Sequence, residues 1–406
     1  MLPSRWRLHS MGAPSCALAP PTSPQARRLS NLAKGLLGNT GSTRPPPLGA
    51  ARPRPKVPAM KRLLCLFVLS VLAPLSLAEE RPSFRLAWSI YVGWAPWDYA
   101  EHTGILAKWA DRYGIDIELV QVNDYIESIN QYTAGQFDAV TATNMDILTI
   151  AAASGVDSTA LLVGDYSNGN DGIILRAGEP LAALAGKRVH LVELSVSHYL
   201  LARALEGLGL EERDVEIVNM AEADLVAAWA GGTVPAVVTW NPMLMQLKDQ
   251  ADTALVFDSS ALPGEILDLT VVKSDVLEAH PELGKALTGA WYETLARLEG
   301  PERSEALAYM ASVTGTDAES FARQLTTTHL FTTPAEALAF VESAQPREIM
   351  QSVAEFSWSH GLYGPFAPDA GFVGMHFGDG TAWGNEGNTQ LRFSSDFIRL
   401  AADDAL

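Results

Sequence analysis

Two indoles and a carboxylate stand within five residues of one another in the stretch WSIYVGWAPWD, residues 88–98. Trp94, Trp97 and Asp98 are residue types that suit one kind of ligand. Indole faces attract a flat cation, and a carboxylate neutralises its charge. The alternative is that the two tryptophans are core aromatics under a loop. The surroundings bear on the choice. β-Branched and aromatic residues over 88–92 read as a strand. Gly93 breaks it, and Pro96 admits a helix only from that point onward. A strand end, a turn and a helix start form the place where open α/β sheets bind ligands.

The elements around this stretch alternate. A helical pattern covers 99–113, a half-buried strand 115–119, a helix 125–134, a strand 137–142 and a helix 144–153. Strands at 159–163, 172–175, 188–192, 215–218, 236–239 and 254–257 continue the pattern, with helices between most of them. Such alternation predicts an α/β fold of largely parallel sheet covered by helices. An apolar strand at 269–272 precedes a helix-dominated tail, in which 334–360 reads as one helix. Residues 361–387, rich in glycine and aromatics, read as loop, and a terminal helix follows within 393–402. The chain has 406 residues, enough for two domains with real cores.

The front end differs from the rest. The first 78 residues hold 11 Lys and Arg and no Asp or Glu, which leaves 18 basic against 47 acidic residues beyond Ala78. Lys61 and Arg62, the apolar run 63–72 and the small-x-small Ser76-Leu77-Ala78 have the form of a secretory signal peptide over 60–78. An organelle transit sequence is the alternative. Residues 1–59 are Pro/Arg-rich without hydrophobic periodicity, which predicts a disordered or untranslated segment with translation starting at Met60. Both cysteines, Cys16 and Cys65, lie in this front part. The exported chain is thus expected to have no disulfide and no thiolate metal site. No nucleophile elbow, phosphate loop, Cys/His cluster or HExxH helix is present. These features predict a protein of the periplasm that is not an enzyme, needs no cofactor and binds no nucleic acid.

Four motifs in order, YVGWAPWDYAEHTGILAKW, GQFDAVTATNMD, LAGKRVHLVELSVSHYLLARALEGLGL and VPAVVTWNPML, carry a resemblance. The chain resembles the solute-binding proteins of ABC importers, in the class that includes nitrate, sulfonate and taurine binders. Within it the Trp-rich motif and the DYSNGNDG loop look like the branch associated with urea carboxylase, whose ligand is urea or guanidine. The resemblance implies a monomeric, two-lobed periplasmic-binding-protein (type II) fold with two hinge crossings. It places lobe 1 at 79–175 and 269–406, lobe 2 at 176–268, and the crossings near 172–177 and 268–273. It implies an ABC permease as partner and a small solute in the cleft, held by lobe closure.

The segments that the resemblance turns toward the cleft are 88–98, 143–146, 165–173, 193–199 and 239–241, and they contain no Lys or Arg. Trp94, Trp97 and Trp240 are the candidate walls, and Asp98, Asp146, Asp171 and Glu193 the candidate acceptors. A guanidinium offers only N–H donors and takes carboxylates in its plane and rings on its faces. Urea carries a carbonyl as well, which the start of the Ser197 helix, Asn144, Asn168 or Asn241 would serve. The charge pattern favours a small guanidinium-type cation over urea, and urea over an anion. Simpler roles compete. Asp146 and Glu193 suit helix N-termini. Asp165 and Asp171 suit loops, the former especially, and Asn241-Pro242 suits a helix-entry turn. Other readings are a binder of taurine, sulfonate, nitrate or a pyrimidine, a pyrimidine-precursor synthase-like enzyme on the same fold, and a receptor domain.

Overall fold

Side-chain alternation builds the smaller of two sheets. In the computed structural model, which describes residues 81–406, its strand Asp171–Arg176 sends Ile173 and Leu175 to one face and Ile174 to the other. Leu200, Leu201 and Leu205 of the helix Val196–Gly207 cover the first face. Leu225, Trp229, Leu244 and Leu247 of two further helices cover the second. A strand buried on both faces is apolar along its middle, as Ile173, Ile174 and Leu175 are here.

The strands in chain order are β1 (Ser83–Trp88), β2 (Asp116–Gln121), β3 (Ala139–Thr143), β4 (Ser158–Ser167), β5 (Asp171–Arg176), β6 (Arg188–Leu191) and β7 (Glu216–Asn219). They continue with β8 (Ala236–Trp240), β9 (Thr253–Asp258), β10 (Leu267–Lys273), β11 (Thr328–Leu330), β12 (Gly374–His376), β13 (Ala382–Trp383) and β14 (Thr389–Phe393). The larger sheet runs β13-β12-β14-β4-β10-β3-β1-β2, with β11 on β4, and the smaller runs β7-β6-β8-β5-β9. Within each sheet an antiparallel strand sits among the others: β10 lies antiparallel to β3 and β4, and β5 antiparallel to β8 and β9, while in the larger sheet β11 and β13 are antiparallel as well. The fold is α/β with two lobes, as the sequence predicted.

The chain passes between the sheets twice, at 168–170 and at 259–266. Both crossings lie a few residues ahead of their expected positions, because β5 and β10 are not linkers but strands, each paired on both sides. Lobe 2 therefore begins with Asp171, and Leu267 already belongs to lobe 1. The buried Ser259 fastens one crossing to the other. Its Oγ accepts from the Gly169 N–H at 2.8 Å and lies 2.6 Å from Ser167 Oγ.

Local differences have local causes. β1 ends at Trp88, and 89–94 is turn, not strand. The helical stretch after it is two helices, Ala95–His102 and Ile105–Tyr113, split at Gly104 with its positive φ of 74°. The tail also holds two helices, Pro334–Val341 and Gln345–Ser359, the second with a proline in its first turn. Residues 361–387 are not all loop: β12 and β13 extend the large sheet. No helix among the described residues is long and apolar enough to cross a membrane. The expected signal peptide, the segment before it and both cysteines lie outside the described residues.

Candidate functional site

A cavity lined mostly by buried residues lies where strand ends of both sheets meet, the crevice position for this class of fold. The loop after β1 gives it Ser89, Ile90, Tyr91 and Trp94, and the first residue of helix Tyr125–Thr133 gives Tyr125. Thr143 ends β3, and Ile266 and Asp268 come from the second crossing and β10. Asn170 and Asp171 lead into β5, Val196 starts a lobe 2 helix and Trp240 ends β8. None of the lining residues among those described is basic. The room for the centre of a water molecule is about 20 Å³. One water needs roughly 10–15 Å³ on this measure, so the space suits a compact ligand.

Four rings join the lobes around it. Tyr91 meets Trp94 edge-on at 4.9 Å, Trp94 meets Tyr125 at 5.7 Å, and Tyr125 meets Trp240 edge-on at 5.7 Å. Trp94 Nε1 and Asn170 Oδ1 are buried with no hydrogen-bond partner among the described residues. A buried polar group left so is costly, which makes each a ready partner for a ligand.

Four carboxyls crowd this place, and none has a basic partner within salt-bridge distance among the described residues. Asp171 lines the cavity, and its Oδ2 accepts from Ser167 Oγ at 2.5 Å. Burial pushes its pKa up to about 6 against the partial relief that Ser167 and Asn170 supply. Asp146 lies behind Tyr125 and accepts from its hydroxyl at 2.6 Å and from Thr143 at 2.9 Å. Burial raises it too, to about 6. Asp165 and Asp268 are paired across β4 and β10, and both are buried. Burial raises both, and Asp268 goes well above the usual range because the charge of Asp165 adds to burial. Tyr91 donates to Asp165 at 2.7 Å, so the cavity's ring is fixed by the acid behind it. Gly93 lies against the same carboxylate: a Cβ there would collide with Asp165 Oδ2 and stand 2.5 Å from the Tyr91 ring.

The residues expected from sequence divide into three groups. Trp94, Asp171 and Trp240 line the cavity. Asn144, Asp146, Ser197 and Asn241 are buried but do not line it. Asn144 holds the second crossing, accepting from Leu267 N–H and donating to Glu265 O, each at 3.1 Å. Asn241 donates to Thr327 Oγ1 at 3.0 Å and caps the following turn through Met245 N–H. Trp97, Asp98 and Glu193 lie elsewhere. Trp97 points into the lobe 1 core, fully buried, with Nε1 donating to Thr270 at 3.1 Å and its ring 5.1 Å from Trp291. Asp98 accepts from Tyr309 at 2.8 Å on the far side of the same helix. Trp94 precedes the first residue of the helix, whereas Trp97 and Asp98 lie within it, where successive residues are turned about 100° apart, so one reaches Trp291 and the other Tyr309. Glu193 is exposed, and its amide, not its carboxylate, is engaged, with Asn219.

Tyr91, Tyr125, Thr143, Asn170 and Asp268 were not expected. Asp268 had a signal: an acid inside an apolar strand must be satisfied by something specific. Tyr125 had none, since a tyrosine opening an amphipathic helix reads as core.

The family model described as NMT1/THI5 like matches residues 100–297. The taurine-binding periplasmic protein of Escherichia coli (strain K12) is 30% identical over 144 residues, 34% of this chain and 44% of that protein. The chain thus spans less than half the length of this curated relative. In fold, the alkanesulfonate-binding protein SsuA from Xanthomonas axonopodis pv. citri bound to MOPS matches with a TM-score of 0.58 at 21% identity, over 71% of this chain and 96% of that one. The periplasmic nitrate-binding protein NrtA from Synechocystis PCC 6803 matches with a TM-score of 0.51 at 13% identity, over 80% and 99%. Both are likenesses of fold.

Proposed function

We propose that this protein is an extracytoplasmic solute-binding protein that delivers a small guanidinium-type nitrogen compound to an ABC importer. One observation carries the reading: the cavity is walled by four aromatic rings, opens on Asp171 and Asp268, and has no basic side chain in its lining. A planar cation gains ring faces and in-plane carboxylates there. A sulfonate or nitrate would meet like charge with nothing to offset it. The relatives named for taurine, alkanesulfonate and nitrate support the binding role, and the lining argues for a different ligand charge. Binding across the cleft favours the closed arrangement, since only there do Trp240 and Tyr125 meet the same molecule.

Urea is the second reading. Trp94 Nε1 is a buried donor without an acceptor, which a carbonyl oxygen would satisfy and a guanidinium would not. Calorimetry with guanidinium, urea, taurine and nitrate separates these. Guanidinium is expected to bind most tightly, at one site and without chemical change. Tight binding of nitrate or taurine would refute the cation reading, and recovery of an altered ligand would refute the binding role.

A further inference from the structure

We infer that Asp165 and Asp268 hold one proton between them in the empty cavity and release it when a monocation enters, so that the site exchanges a proton for its ligand. This rests on the cation reading of the cavity.

The geometry requires a shared proton. The two residues are direct partners in the antiparallel register of β4 and β10, both are buried, and neither has a basic partner among the described residues. Two carboxyls buried side by side cannot both ionise without a counter-charge, so one proton stays with the pair. Tyr91 and Thr328 both donate to Asp165 Oδ1, but no N–H or hydroxyl reaches Asp165 Oδ2. That oxygen is left for a carboxyl O–H, which places the proton on Asp268, the member that lines the cavity. The other groups facing the pair do not replace it. Asp171 adds negative charge, the Tyr91 hydroxyl is already engaged, and His329, stacked on Tyr166, pairs with Glu336 at 3.0 Å. The buried, unpartnered Asn170 Oδ1 in the same lining marks a further acceptor turned to the space that the ligand would fill.

The charges balance. The empty pair carries one proton and one negative charge. A bound monocation takes over the proton's work, both carboxyls ionise, the proton leaves to solvent, and the net charge of pair plus ligand is still minus one. A neutral ligand supplies no charge to drive the proton out. The pair thus selects cation over neutral isostere through the proton it gives up, a discrimination that shape alone could not make between guanidinium and urea.

Two measurements on the wild-type protein test this. Infrared spectroscopy of the ligand-free protein at about pH 8 should show one protonated carboxyl, absent from Asp268→Asn. Calorimetry with guanidinium chloride in buffers of contrasting ionisation enthalpy should show release of about one proton per ligand, with affinity rising about tenfold per pH unit wherever the empty pair keeps its proton. Absence of the protonated carboxyl overturns the inference. Guanidinium binding without proton release overturns it too, while leaving the cation reading in place. Failure of guanidinium to bind sinks both.

Discussion

Replacing Asp171 with asparagine should make the ligand-free protein more stable and nearly abolish its binding. The residue is 3% exposed, without a basic partner, and its carboxyl is held at about 6 instead of the ordinary 3.8. That difference corresponds to ~3 kcal/mol needed to ionise it in the folded chain. A carboxyl held above its unfolded value binds its proton more tightly in the native state. The cost is therefore absent below about pH 3.8, grows as pH rises through 6, and is complete above that. An asparagine oxygen can still accept from Ser167, so little is lost in exchange. Thermal denaturation of both proteins at about pH 4, 6 and 7.5 should show a gain of ~1–3 kcal/mol for Asp171→Asn at the highest pH, closing toward the lowest. The same variant should bind guanidinium at least ~10-fold more weakly, since a charge-assisted hydrogen bond contributes ~1.5–3 kcal/mol. A variant that is less stable at pH 7.5, or whose advantage does not shrink on acidification, would refute the account of Asp171 as a strained, ligand-directed acid.

Trp240→Ala should weaken guanidinium binding by roughly 10-fold, the size of a desolvated cation–π contact, as titration calorimetry would read. Trp97→Ala should lower stability by ~3–5 kcal/mol in denaturant melts, because the ring is core. Asp98→Asn should leave ligand affinity within about twofold, since its partner is Tyr309 and not the cavity. Gly93→Ala should cost ~1–3 kcal/mol and also reduce affinity, because the added carbon displaces Asp165 and Tyr91 together; stability and binding measured on one preparation would show whether the two losses coincide.

The sequence by itself determined the architecture and the sign of the site. Alternating apolar strands and amphipathic helices leave few ways to bury both faces of a sheet, so the α/β class was legible, and the two lobes followed from the resemblance carried by the four motifs. So was the cluster of tryptophan and acid without lysine or arginine, because absence of a residue type from a stretch needs no coordinates. Which acids and rings meet was decided only by tertiary structure. Trp94 and Trp97 are equivalent by composition, but Trp94 sits in the turn before the helix and lines the cavity, while Trp97 sits inside the helix and packs onto Trp291. Asp98 stands in the most suggestive motif and turns away, and Asp268 stands in an unremarked strand and turns in. Register is the reason: β10 lies between β3 and β4, and its pairing sets Asp268 opposite Asp165, more than a hundred residues distant in the chain. Local pattern fixes which residues are buried, and only long-range pairing fixes what each buried carboxyl finds beside it.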